Sequence, residues 1–216
     1  MKARAFVSTI TASILVAACA TSAPPMASAP AQGAPASPSP APAPATSDPR
    51  VAATLPIRNA GFEEPPRPGA RCAQGWDCVM HNDPNSYRYF HEDGGTQGAH
   101  AFCFEAVGKE PWGSLAQAVH SPLIRGAHIR LSASLRIEGI VGQGVGPYMN
   151  AQGGSGQVLK NVQSLAPGDH GWQRVEVEMD VPEGTFVLEA GVLLLGKGKA
   201  CVDDVRLEVL RPAGAV

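Results

Sequence analysis

Strict alternation of apolar and polar residues constrains this chain more than anything else in it. Ile129, Leu131, Ala133, Leu135 and Ile137 alternate with Arg130, Ser132, Ser134, Arg136 and Glu138. Val175, Val177, Met179 and Val181 alternate with Arg174, Glu176, Glu178 and Asp180. A period of two puts every apolar side chain on one face of an extended strand, so both stretches predict half-buried antiparallel strands. Phe186 to Leu195 is apolar on both parities, as a central strand covered on both faces would be. Cys201 to Val209 alternates again, with Val205, Leu207 and Val209 inward. Turn signals at Pro167-Gly168-Asp169, Pro182-Glu183-Gly184 and Gly196-Lys197-Gly198 separate these runs. No stretch carries a helical period. Many short strands joined by glycine and proline turns predict an all-β fold, an antiparallel β-sandwich or jelly roll.

The amino terminus predicts the compartment. Met1-Lys2-Ala3-Arg4 is a short positive region, and Ala5 to Val16 is an uncharged, mostly apolar run. A bilayer span takes roughly 20 apolar residues, so this run reads as the core of a signal peptide over residues 1–18. Leu15-Val16-Ala17-Ala18-Cys19 resembles a bacterial lipobox, which implies lipidation of Cys19 and a membrane anchor. Ala20 is not the aspartate that retains many lipoproteins at the inner membrane, so the expected location is the outer membrane of a Gram-negative bacterium. Residues 19–48 are rich in Ala, Pro and Ser, with almost nothing to bury; they predict a disordered, extended tether. Residues 49–212 form the folded domain and 213–216 a tail. The net charge is only −2 and the basic residues are scattered, which argues against nucleic acid as a partner.

Ordered short motifs run along the domain. They are Asn59-Ala60-Gly61-Phe62-Glu63, Gly75-Trp76, Ser114-Leu115-Ala116-Gln117-Ala118-Val119, Gly126-Ala127-His128-Ile129-Arg130-Leu131-Ser132, Gly171-Trp172-Gln173-Arg174 and Ala200-Cys201-Val202-Asp203-Asp204-Val205. In this order they resemble the galactose-binding-like jelly roll of CenC-type carbohydrate-binding modules. The carboxy-terminal half is more similar still to an accessory sandwich of some bacterial tail-specific serine peptidases. The resemblance implies the fold more strongly than the function, because one fold hosts many functions.

Four cysteines fall in the domain, and an even count in an exported chain favours two disulfides over a zinc site. Cys72 and Cys78 enclose a short loop. The resemblance implies that Cys103 pairs with Cys201. It also implies a structural calcium held by Asp203, Glu63 and carbonyls near Gly98; the competing role for Asp203 is to cap backbone amides at a strand end.

The sequence holds no nucleophile elbow, and Gly153-Gly154-Ser155-Gly156 reads as a hairpin loop. His81, His91 and His100 read as solvated loop histidines. A non-catalytic binder is the remaining class. Sugars need aromatic faces and amides on an exposed sheet face, and Trp112, Gln117, Tyr148, Asn150 and Gln152 are the candidates. Trp76 and Trp172 read as packing residues. Val79 or Met80 stands where some relatives offer a cleft tyrosine. The partner is thus expected to be a glycan, polysaccharide or peptidoglycan, with an envelope protein as the alternative.

Overall fold

The computed structural model describes residues 48–154, 156–161 and 165–215. Nine strands lie among them: β1 (Ala53–Leu55), β2 (Asp77–Met80), β3 (Tyr87–Asp93), β4 (His100–Ala106), β5 (Trp112–Val119), β6 (His128–Gly153), β7 (Gly156–Asn161), β8 (Gly168–Asp180) and β9 (Thr185–Arg211). All their pairings are antiparallel. The signal segment, Cys19 and the tether up to residue 47 lie outside the described residues.

The two long strands organise the fold. β6 and β9 pair with each other along most of their lengths, and each exchanges its outer partner midway. The first half of β9 pairs with β5, from Val119↔Leu188 to Trp112↔Leu195. Its second half pairs with β4, where Cys103 faces Cys201, and then with β1. The first half of β6 pairs with β8 and its second half with β7. One half-sheet therefore reads β2-β5-β9-β6-β7 and the other β3-β4-β9-β6-β8. The exchange happens where β6 and β9 cross at glycines. Gly142 and Gly196 have φ of 125° and 133°, and a Cβ on Gly196 would sit 2.1 Å from the Val141 carbonyl oxygen. Only glycine fits so close an approach at a positive φ.

The halves face one another across a shared core. Tyr89 of β3 brings its hydroxyl within 3.3 Å of the Val79 and Ser114 carbonyls on β2 and β5. The Tyr87 ring lies where a Cβ on Gly113 would be, 2.7 Å from it. Phe62 packs on Trp76 and Phe102 with ring centroids 5.1 and 5.8 Å apart. Burying each such side chain contributes about 1.5–3 kcal/mol. Trp76 is thus a core residue, as expected. Trp172 lies at the edge, where its indole Nε1 donates to the Gly94 carbonyl at 3.2 Å.

Three expectations change. Arg130, predicted to face solvent, is 7% exposed, because β6 is flanked by β8 and β9; Glu208 and Asp48 accept its guanidinium hydrogens. Asp48, counted with the tether, is thereby tied to the folded domain. His91 and His100 are not loop residues. They lie in β3 and β4 with their rings stacked 5.4 Å apart.

Candidate functional site

Strand register decides which side chains share a face. Across the first half-sheet, Val79, Ser114 and Leu193 stand in one row. Asp77, Ala116, Gly191 and Tyr148 stand in the next, and Ala118, Glu189, Asn150 and Leu159 in a third. Their neighbours of opposite parity on each strand, such as Leu115, Leu188, Val192 and Met149, belong to the core. The face with Tyr148 is therefore the one turned away from the core. The expectation that Phe186–Leu195 is covered on both faces is corrected here. Leu188, Ala190, Val192 and Leu194 point into the core, whereas Glu189, Leu193 and Leu195 line a groove.

That groove holds a cavity of about 470 Å3 lined by Trp112, Tyr148, Asn150, Leu159 and Leu195 among others. A second cavity of about 510 Å3 continues it, sharing Val79 and Glu189 and adding Gln152 and Asp77. Gly191 forms part of the floor. A Cβ there would lie 2.2 Å from the Leu115 carbonyl oxygen, so the bare backbone lets β5 and β9 stay together beneath the groove.

Each predicted ligand residue has a definite place. Trp112 is half-buried at one end of the groove, with the His81 ring edge-on at 6.4 Å. Tyr148 is 5% exposed and forms floor rather than wall. Its hydroxyl donates to the Glu189 carboxylate and lies 3.3 Å from Ser114 Oγ. Burial raises the Tyr148 pKa and the Glu189 carboxylate raises it further, so the phenol stays protonated and available as a donor. Asn150 is 7% exposed, and its Oδ1 finds no donor. Gln152 is half-buried in the continuing cavity.

Gln117 borders the continuing cavity, but its amide is already engaged. It has the opposite parity to Ser114 and Ala116, and both ends of its amide are engaged by the Arg58 backbone. Oε1 accepts the Arg58 amide at 3.1 Å, and Nε2 donates to the Arg58 carbonyl at 2.6 Å. Its role is to fix the loop before β2. Sequence reasoning missed Glu189, Leu159, Leu193 and Ser114. A lone carboxylate inside the apolar run Phe186–Leu195 was the available signal for the first.

Both predicted disulfides form, Cys72–Cys78 and Cys103–Cys201. The cluster of Glu92 with Cys103 and Cys201 offers no metal site, since both sulfurs are bonded to each other. Asp203 is fully buried in the second half of β9, and four donors hold it. Thr96 N, Thr96 Oγ1 and Gln97 N reach Oδ2 at 2.5, 2.9 and 2.7 Å, and Asp204 N reaches Oδ1 at 2.7 Å. Burial raises its pKa, opposed by these hydrogen bonds. Glu63 Oε1 accepts the Ala99 and His100 amides, each at 3.0 Å. Both carboxylates therefore cap backbone. Oxygens also converge beside them: Asp203 Oδ1, Gln97 Oε1 and the Gln97 carbonyl all lie within 3.7 Å of the point a Gly61 Cβ would occupy. Oxygen donors of this kind are the ones a calcium ion takes.

No family model matches the chain, and no curated protein matches it significantly. Solved structures do share its architecture. The tandem CBM22 domains of Paenibacillus barcinonensis Xyn10C are 14% identical, with a TM-score of 0.55 over 71% of this chain and 46% of that one. The chain thus spans under half of that protein. The Stig cyclase Fisc from Fischerella sp. TAU is 17% identical, with a TM-score of 0.52 over 74% and 98%. The C-terminal family 22 carbohydrate-binding module of Clostridium thermocellum Xyn10B is 15% identical, with a TM-score of 0.50 over 78% and 98%. What these likenesses establish is the fold: an all-β, antiparallel jelly roll of the kind found in carbohydrate-binding modules.

Proposed function

We propose that this protein is a non-catalytic, glycan-binding lipoprotein of the bacterial envelope, anchored through Cys19 and binding its ligand in the groove beside Trp112. One observation carries the reading. A continuous groove combines a half-buried indole and exposed Leu159 with the Asn150 side chain. An apolar sugar face stacks on the first pair, and the Asn150 amide is the polar group that meets a hydroxyl. The solved carbohydrate-binding modules of the same fold support it. The cavity under Trp112 holds a single carboxylate, Glu189, already bound to Tyr148, which supports binding rather than acid–base chemistry. A structural calcium at Asp203, Gln97 and Glu63 belongs to the same proposal and would serve stability alone.

Affinity electrophoresis through gels containing soluble polysaccharides tests the reading. Retardation by at least one polymer, lost in Trp112→Ala, is the expected result. Uniform mobility in every gel rejects it and leaves an envelope protein as the partner.

A further inference from the structure

A third cavity, of about 560 Å3, adjoins the groove through Asp77 and Cys78 and lies over the loop stapled by Cys72–Cys78. Arg58, Arg67 and Arg71 all line it. Their concentration is unlike the rest of the domain. Among the described residues, seven of eleven arginines are ion-paired with a carboxylate, and these three are not. The single acid in the cavity wall, Asp77, leaves an excess of two positive charges in a chain whose net charge is −2.

The loop is also built to hold them. Cys72–Cys78 closes it, and Asn59 Nδ2 donates to the Glu64 carbonyl at 3.0 Å. Gln74 Nε2 donates to the Pro65 carbonyl at 2.9 Å. Gln117 clamps the Arg58 backbone from beneath. Gly75 leaves no room for a Cβ, which would lie 2.9 Å from the Arg58 Cβ, so the Arg58 stem packs on bare backbone. Arg71 turns its guanidinium to the Pro84 carbonyl and Asn85 Oδ1, which leaves Arg58 and Arg67 as the like charges lining the hollow, and an anion bound between them relieves their repulsion. Guanidinium groups bind carboxylate and phosphate oxygens through paired N–H donors.

We infer that this cavity is an anion subsite at the end of the glycan groove, which takes a carboxylate or phosphate carried by the bound saccharide. The inference rests on the groove reading for the polymer and on the arginines for the charge. The preferred ligand is accordingly an acidic glycan rather than a neutral one. Neutral stretches of the chain occupy the groove from Gln152 to Trp112, and the acidic substituent enters between Arg58 and Arg67.

The test uses the full chain with intact disulfides. Binding is compared for polygalacturonate against its fully methyl-esterified form, and for phosphomannan against unphosphorylated mannan. The expected result is tighter binding of at least one acidic polymer than of its neutral counterpart, by about tenfold at low salt and less at high salt. Arg67→Gln weakens the acidic polymer about two- to fivefold and leaves the neutral one unchanged. Arg67→Lys, which keeps the charge but not the paired donors, recovers only part of that loss. Arg67 is the cleanest position, because its side chain meets only Gln74 Oε1, at 3.4 Å. The two acidic probes separate carboxylate from phosphate. Equal binding of acidic and neutral polymers, or acidic binding untouched by Arg67→Gln, overturns the subsite and leaves the groove reading standing. Acidic binding that needs the arginines but survives Trp112→Ala keeps the subsite and overturns the groove. Failure of both acidic polymers to bind overturns the inference.

Discussion

Tyr148 and Glu189, diagonal neighbours on β6 and β9, are joined hydroxyl to carboxylate on the floor of the groove. The bond fixes the one charged group beneath Trp112 and spares it from facing the ligand alone. Tyr148→Phe removes the donor while keeping the ring. It is expected to lower the unfolding free energy by about 1–2 kcal/mol, read from urea denaturation, because Glu189 then loses its partner in a half-buried position.

The two disulfides are expected to contribute unequally. Cys103 and Cys201 are 98 residues apart, Cys72 and Cys78 only 6. Loop-closure entropy then gives about 4–5 kcal/mol for the first and about 2 kcal/mol for the second. Denaturation of the paired serine variants should show this order, and the Cys72/Cys78 variant should also lose its preference for acidic polymers.

Stability should fall in acid for an identifiable reason. Glu92 lies over the Cys103–Cys201 bridge, 2.7 Å from Lys199 and ion-paired to Arg136. Burial alone would raise its pKa, but Lys199 and Arg136 outweigh burial and hold it below its ordinary value. A carboxylate depressed in the folded state contributes stability above the unfolded pKa of about 4.3, and that stability is lost as pH falls through the folded value. The melting temperature of the wild type should therefore drop as pH falls below about 5. Glu92→Gln should be less stable at neutral pH and show a flatter acid limb.

Asp203 meets four donors, so Asp203→Ala removes the shared acceptor of all of them. A loss of about 3 kcal/mol or more is expected. Calcium has its own test. Millimolar calcium should raise the wild-type melting temperature by about 5 °C or more and leave Asp203→Asn unmoved. An unchanged wild-type value would reject the ion while leaving the amide cap intact.

The fold was legible because its signals are local. Alternation in β6, β8 and β9 and the glycine turns between them follow from single-strand geometry, and the structure keeps both the inward parities and the two cysteine pairs. Parity also explains why the Gln117 amide is engaged. A residue five positions from Trp112 on one strand faces the opposite side, so the amide meets the Arg58 backbone although Gln117 borders the continuing cavity. Glu189 was hidden because an apolar groove wall and an apolar core give the same composition. The arginine cavity was out of reach for another reason. Arg58, Arg67 and Arg71 are gathered by Phe62 and Trp76 packing and by a disulfide, and no local pattern in the loop encodes that convergence.

The three tryptophans offer the most direct measurement of the central claim. Nitrogen-15 spectra resolve one indole N–H signal for each of Trp76, Trp112 and Trp172. Trp76 Nε1 donates to the Asn59 carbonyl inside the core, and Trp172 Nε1 donates to Gly94 on the other half-sheet. Titration with a retained polysaccharide fragment is predicted to move the Trp112 signal and leave the other two in place. Movement of Trp172 with Trp112 fixed would put the ligand on the opposite face and contradict the account.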